Sequence, residues 1–491
     1  MPAPVPITLA SPTPGQHAYV VRVTDNDGLT AEASRTVRVT GSNQPPTIAL
    51  SSPADGAVVQ VQYRPNGAVA LTSTNAPFGG TLPFVAVGRR ELVAVATDNL
   101  GLSTTSAPVS FEVLRAMSSP LSFQVLHASD FEAGIPALDD AVGFSRVLGA
   151  LRSEFPTNTL VLSSGDNYIP GPFFTASADP AAPFNGVKGR ADIAILNALG
   201  IQASAAGNHE FDDNTAQFAS MLRADAAAGY AGTLFPYLSA NLDFGADSNT
   251  RGLVTADAQD ARLGTNKLAR SCTLLVAGQL VGIVGATTVD LRQISSPGTI
   301  GVSTNLVGTI QPAVDALLAR GCNKVVLLAH LQQYANEFAR ARALRDVDLI
   351  IAGGSHVVFA RPGDRLRAGQ FAAQPYPSVF TSPSGEPVHV VAAGANFEYV
   401  GRWMASFDEE GRITATDSRS GTYPTDAQGV ADTGAAPASP AITHIVGNLG
   451  GIIQSAFEAA AIRRCSSASA GRASAQRAWP REKRKSGLAG S

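Results

Sequence analysis

Charge of either sign is scarce in this chain. Its 36 Lys and Arg against 39 Asp and Glu leave a formal net charge of −3 over 491 residues. No field of one sign exists to recruit nucleic acid or an anionic membrane surface. Cysteine is scarcer still. Cys272, Cys322 and Cys465 form an odd set with no CxxC pair, which argues against a zinc knuckle or a thiol redox motif. The first two could pair as a disulfide or stand as two free core thiols; the sequence leaves both open. No run of 18 apolar residues occurs, so nothing reads as a membrane span. The start, Met1-Pro2-Ala3-Pro4-Val5-Pro6, lacks the basic and apolar regions of a secretory signal. What remains is an ordinary folded composition, 45% hydrophobic and 15% charged, long enough for two or three domains.

Residues 1–116 read as all-β. Short alternating stretches such as Ala18 to Val23 are bounded by Gly, Pro, Asn and Ser. Thr24-Asp25-Asn26-Asp27-Gly28 recurs as Thr97-Asp98-Asn99-Leu100-Gly101, an offset of 98 − 25 = 73 residues. Asp-Asn-x-Gly is turn chemistry for a hairpin, because Gly takes positive φ freely. Asn43-Gln44-Pro45-Pro46 reads as the joint between two modules, 1–42 and 43–116. They resemble the immunoglobulin-like and PKD-like modules of secreted bacterial proteins. The first holds only closing strands, so a precursor beginning upstream of Met1 is expected. Asp25 and Asp27 read as solvated turn carboxylates, since an Asp-rich loop alone lacks the six or more oxygens that calcium takes.

From residue 120 strands and helices alternate, which predicts a mainly parallel sheet covered by helices over 120–418. Strands are expected at 123–126, 159–162, 237–240, 324–328 and 347–351, with a hairpin turning at Ala277-Gly278. Helices are expected at 139–153, 189–199, 215–228, 308–319 and 332–345. Val388–Ala392 and Tyr399–Phe407 read as the last strands, antiparallel and closed by the turn Asp408-Glu409-Glu410-Gly411. After 418 the composition turns to Ala, Gly, Thr, Asp and Pro, and 419–491 reads as linker and basic tail with a brief helical pattern at 442–461. The end, Arg463 to Ser491, holds eight Lys or Arg against one Glu. A solvated, disordered terminus is preferred there over a nucleic-acid arm.

Five strand ends in the α/β region carry polar clusters. They are Asp130-Phe131-Glu132, Gly165-Asp166-Asn167, Gly207-Asn208-His209-Glu210-Phe211-Asp212, His330, and Gly353-Gly354-Ser355-His356. Singly, each is a helix cap or a core histidine. Jointly, they place carboxylate, amide and imidazole groups where open α/β sheets bind ligands, beyond the carboxyl ends of their strands. That donor set suits two divalent ions sharing a bridging carboxylate.

In this order the motifs resemble those of the calcineurin-like metallophosphoesterases, specifically the catalytic domain of the bacterial 5′-nucleotidase group. The resemblance covers residues 121 to about 415. It implies an α/β fold, a four-layer α/β-β/α sandwich preceded by the all-β modules, with two divalent ions in its mouth. Asp166 would bridge them; Asp130, Glu132 and His356 would complete the first site, and Asn208 and His330 would serve the second. His209, held by Asp212, would stabilise the transition state and assist the leaving oxygen while a metal-bound hydroxide attacks phosphorus. The implied partner is a nucleotide or other phosphate ester, and the implied location is extracellular or periplasmic.

Two positions depart from the pattern. Glu132 stands where the family has His, a harder donor that favours manganese, magnesium or calcium over zinc. Gly354 stands where the family has another His and offers no side-chain ligand. The resemblance also implies a C-terminal domain that stacks the base, yet the roughly 70 residues after 420 read as too few to build it. Poor discrimination among nucleotides is therefore expected. The alternative is a surface adhesion or scaffold protein that keeps the fold with impaired chemistry.

Overall fold

The computed structural model describes residues 15–24, 30–39, 58–67, 69–74, 88–113, 118–184, 186–434 and 436–477. The chain divides into two units, Met1–Val113 and Leu114–Ser491.

In the first unit Gly15–Thr24 and Thr30–Val39 pair antiparallel, in register from Gly15–Val39 to Thr24–Thr30. The turn between them, with Asp25 and Asp27, lies outside the described residues. Gly88–Asp98 is the spine of a second antiparallel sheet, flanked by Val58–Pro65, Ser103–Thr105 and Val109–Val113. The second copy of the repeat makes its predicted hairpin. Thr97 pairs with Ser103, and Gly101 takes φ +85° between them. Val61, Ala94 and Ala96 form a small core. The described strands do not by themselves define an immunoglobulin-like sandwich.

The second unit is built on two mixed sheets. One runs, edge to edge, Leu268–Ala269, Tyr237–Leu238, Ala203–Ala205, Thr159–Ser163, Leu121–Ala128, Tyr399–Phe407 and Ile413–Thr416, with Gly421–Pro424 also on Tyr399–Phe407. The other runs Gln259–Asp260, Ser271–Val276, Gln279–Thr287, Val325–His330, Leu349–Gly353, Pro387–Val391 and Ser378–Thr381. Strands Val325–His330 and Leu349–Gly353 are buried at every position, as expected of parallel strands covered on both faces.

Alternation along single strands reveals the layers. Gln124 donates to the Leu151 carbonyl of helix Ala137–Glu154, while Phe123, on the opposite face, packs edge-on to Trp403. Trp403 Nε1 in turn donates to His389 Nδ1 of the second sheet, 2.9 Å away, whereas its neighbour Arg402 reaches Glu154 on the helix side. In the second sheet a Cβ on Gly282 would meet Leu317 of helix Leu306–Ala319 at 2.8 Å. One on Gly285, across the strand, would fall 2.1 Å from the Leu238 carbonyl oxygen of the first sheet. The sheets therefore pack on each other with helices outside them, an α/β sandwich.

Several elements differ from expectation. Val388–Ala392 and Tyr399–Phe407 are not partners. Pro387–Val391 pairs parallel with Leu349–Gly353, and Tyr399–Phe407 crosses to the first sheet to pair antiparallel with Leu121–Ala128. Residues 419–477 hold more regular structure than a linker and tail, and the helical pattern expected at 442–461 lies within a longer helix. Gly421–Pro424 joins a sheet, Ala427–Asp432 is helical, and a helix runs from Pro440 to Arg477. Its Ile442, Ile445, Val446, Leu449 and Ile453 are buried in the core against the helices Ala137–Glu154, Pro172–Ala176 and Arg190–Leu199. Their spacing of three, four and seven is one helical face, diluted in the sequence by Gly447, Gly450 and Gly451. Cys272 and Cys322 are free and buried, so of the two readings the structure has unpaired thiols; burial pushes both thiols up, Cys322 to about 12.

Candidate metal centre

The five clusters meet because their strands run parallel, three in one sheet and two in the other, with carboxyl ends on a common edge. Ser129 Oγ accepts from Ala393 N, and His330 Nδ1 lies 2.9 Å from the Ser164 carbonyl, tying the two sheets together there.

Asp166 sits at the middle. Its Oδ1 accepts from His209 N at 2.8 Å, and its Oδ2 lies 2.9 Å from His330 Nε2 and 3.9 Å from His209 Nε2. Burial works to raise its pKa, but His330 and His209 outweigh that and hold it below the usual carboxylate value. Asp130 Oδ1 accepts from Gly354 N at 2.7 Å and lies 3.5 Å from His330 Nδ1; burial pushes its carboxyl up to about 7. Glu132 Oε1 lies 2.8 Å from His356 Nε2 and 3.5 Å from His209 Nε2. The Asn208 carboxamide lies 3.2 Å from His330 Nε2. The six predicted ligand residues and His209 thus form one continuous cluster. Glu132, Asp166 and His356 hold φ of +40°, +45° and +54°. Left-handed backbone at non-glycine residues costs on the order of 1–3 kcal/mol each and concentrates at functional sites.

His209 stands at the mouth, its side chain 24% exposed. Its Nδ1 is 2.5 Å from Asp212 Oδ2, whose other oxygen accepts from Ser295 Oγ at 2.8 Å. Burial lowers the imidazole pKa, but Asp212, Asp166 and Glu132 together carry it up to about 9.

Sequence reasoning misses Glu210 as a site residue, although it stands inside the Gly207–Asp212 motif. Its carboxylate accepts from Gly207 N at 2.6 Å, Asn167 N at 2.9 Å and Asp166 N at 3.1 Å. It thereby clamps the second and third strand ends together. Burial pushes its pKa up to about 7 against those donors. The approach it holds is close: a Cβ on Gly207 would lie 2.2 Å from Asp166 Oδ1, and one on Gly165 2.7 Å from Gly207 N. Glycine is required at both positions.

Do these residues fit divalent ions? His330 Nδ1 faces a backbone carbonyl, so it carries the proton and leaves a lone pair on Nε2. Nε2 lies 2.9 Å from Asp166 Oδ2 and 3.2 Å from the Asn208 carboxamide; without an ion, either a second proton on the ring, which Asp166 favours, or the amide turned N–H inward joins them. A cation in that place would take the imidazole lone pair, the amide oxygen and the Asp166 carboxylate together. Asp130 Oδ2 is also buried with no hydrogen-bond donor. Ligand atoms of Asp130, Asp166 and His330 lie within 4.8 Å of one another, and so do those of Glu132, Asp166 and His209. The donors fit.

An α/β sandwich whose strand ends gather this donor set is the arrangement that the metallophosphoesterase resemblance implies. No family model matches the chain. Over 269 residues it is 30% identical to 5′-nucleotidase of Rattus norvegicus, covering 54% of this chain and 40% of that protein. Over 282 residues it is 30% identical to NAD 5′-nucleotidase of Haemophilus influenzae, covering 56% and 41%. The crystal structure of a 5′-nucleotidase precursor from Thermus thermophilus matches with a TM-score of 0.53 at 25% identity, over 69% of this chain and 59% of that one. The second unit is similar, over its α/β sandwich, to these 5′-nucleotidases. The chain spans about two fifths of the length of these curated relatives.

Proposed function

We propose that this protein hydrolyses phosphate esters of nucleotides with two divalent ions. Asp130, Glu132 and His356 would hold one ion, Asn208 and His330 the other, and Asp166 both. The observation that supports the reading is the convergence of His330 Nε2, the Asp166 carboxylate and the Asn208 carboxamide at one point, beside a histidine fixed by its own carboxylate. When bound, the ions supply Lewis-acid stabilisation of the phosphoryl oxygens and activate water. His209 is held at Nδ1 by Asp212, which favours its protonated form. It presents an N–H to the oxygen that gains charge as the ester bond breaks, and Asp212 holds the ring in that orientation. Glu132 adds a hard oxygen donor, so manganese, magnesium or calcium suit the first site better than zinc.

Phosphate release from adenosine, guanosine and uridine monophosphates and an aryl phosphate, with each of these four metals, tests the reading. No release from any substrate with any metal would overturn it. No observation favours the impaired scaffold alternative. We place the protein outside the cytoplasm on the strength of its repeated β modules, a reading that cell fractionation checks. Among the described residues no helix is long and apolar enough to cross a membrane.

A further inference from the structure

Gly354 leaves the second ion with three side-chain donors, Asp166, Asn208 and His330. The space its missing side chain would fill is not open. A Cβ at 354 would lie 2.9 Å from Gln332 Cα, 3.0 Å from Gln332 N and 3.0 Å from His330 Nε2. A side chain at 354 would therefore start out beside the imidazole nitrogen that faces Asp166, where Gln332 now stands. The glycine admits Gln332, and Gln332 excludes anything larger than the glycine.

The backbone of Gln332 is turned for this placement. Two residues past His330 it takes φ +70°, a left-handed conformation uncommon for a residue with a side chain. Its carboxamide contacts the carboxamide of Asn208. Asn208 lies 3.2 Å from His330 Nε2, and Asp166 Oδ2 lies 2.9 Å from the same atom. The Gln332 amide thus meets Asn208, whose own carboxamide reaches the imidazole that Asp166 also faces. A primary amide presents either an N–H or an oxygen to the same neighbour by turning its terminal group over, with no change of shape. Beside a cation the oxygen is the end that faces inward.

We propose that Gln332 ligates the second divalent ion through its amide oxygen and replaces the donor that Gly354 cannot supply. The proposal deepens the two-ion reading and rests on it. A neutral oxygen donor in place of an imidazole turns that site, too, towards manganese, magnesium or calcium.

Calorimetric titration of the metal-free full chain with manganese tests this, alongside Gln332→Ala, Gln332→Glu and Gln332→His. The wild type is expected to bind two ions. Gln332→Ala should keep one at unchanged affinity and bind the other at least about tenfold more weakly. Gln332→Glu, which retains an oxygen donor, should bind both. Gln332→His should shift the second site towards zinc relative to manganese, an effect that loss of a hydrogen bond to Asn208 would not produce. Two ions bound by Gln332→Ala with wild-type affinities would overturn the proposal. So would equal weakening in all three variants without a change in metal preference, which would make Gln332 a positioning residue for Asn208. A wild type that binds fewer than two ions would instead overturn the two-ion reading itself.

Discussion

His209 Nδ1 lies 2.5 Å from Asp212 Oδ2, and Ser295 Oγ holds the other oxygen of the same carboxylate. The imidazole is therefore fixed from behind while its Nε2 faces Glu132 and Asp166. In the proposed function a ring anchored in this way acts on substrate. His209→Ala is expected to lower kcat by about 10²–10⁴-fold, the range for a general acid–base group. Asp212→Asn should cost less, because the ring keeps its position but loses its charged partner. Metal content should be unchanged in both variants, as measured by elemental analysis of the purified proteins.

Removal of metal should abolish hydrolysis, and added manganese should restore it. Among ligand variants Asp166→Asn should be the most damaging, since Asp166 reaches both His330 and the His209–Glu132 side of the cluster. Its kcat/KM should fall at least about tenfold further than that of Glu132→Gln, some 1.4 kcal/mol of transition-state stabilisation. Full activity in metal-free protein would contradict the chemistry proposed.

Asp192, in the first turn of helix Arg190–Leu199, is buried with neither carboxylate oxygen hydrogen-bonded. Burial pushes its carboxyl up to about 8. Folded protein thus keeps a proton that unfolded protein releases near its ordinary value, and stability is lost as pH rises through that window. Relative to Asp192→Asn, the wild type should lose about 1.4 kcal/mol per pH unit between roughly pH 5 and 8. Urea unfolding of both proteins across that range reads the difference directly. Parallel pH profiles would show that Asp192 is ionised in the fold.

The C-terminal helix makes a contrasting pair of stability predictions. Leu449 is fully buried against the catalytic unit, whereas Phe457, two turns on, is 58% exposed. Leu449→Ala should destabilise the protein by about 2–5 kcal/mol, the range for emptying a core leucine site. Phe457→Ala should stay within about 0.5 kcal/mol of the wild type. Equal effects, measured by denaturant unfolding, would mean that the helix does not pack as described.

How much of this was legible in the sequence depends on whether the signal was local. Each strand end announced itself, because a short apolar run followed by Gly and polar residues specifies both a buried strand and the turn beyond it. The helices Ala137–Glu154 and Leu306–Ala319 and the hairpin at Ala277-Gly278, with φ of +47° and +82°, were legible for the same reason. The order of the motifs along the chain then sufficed to name the class of domain.

Pairing between distant segments was not legible. Strand Tyr399–Phe407 has the same alternating look whichever sheet it joins, and only the fit of Trp403 against Phe123 and His389 decides. The helix from Pro440 reads as no more than a brief helical pattern after a linker, because glycines and alanines thin its apolar face; its burial depends on the groove it fills. Glu210 looks like one more acidic residue until its carboxylate is seen to gather three backbone amides from two strand ends. The sequence by itself determined which donors exist and which strand each one ends. Tertiary structure alone brought Gln332 into the space that Gly354 leaves, since that exchange depends on two loops from neighbouring strands meeting at one imidazole nitrogen.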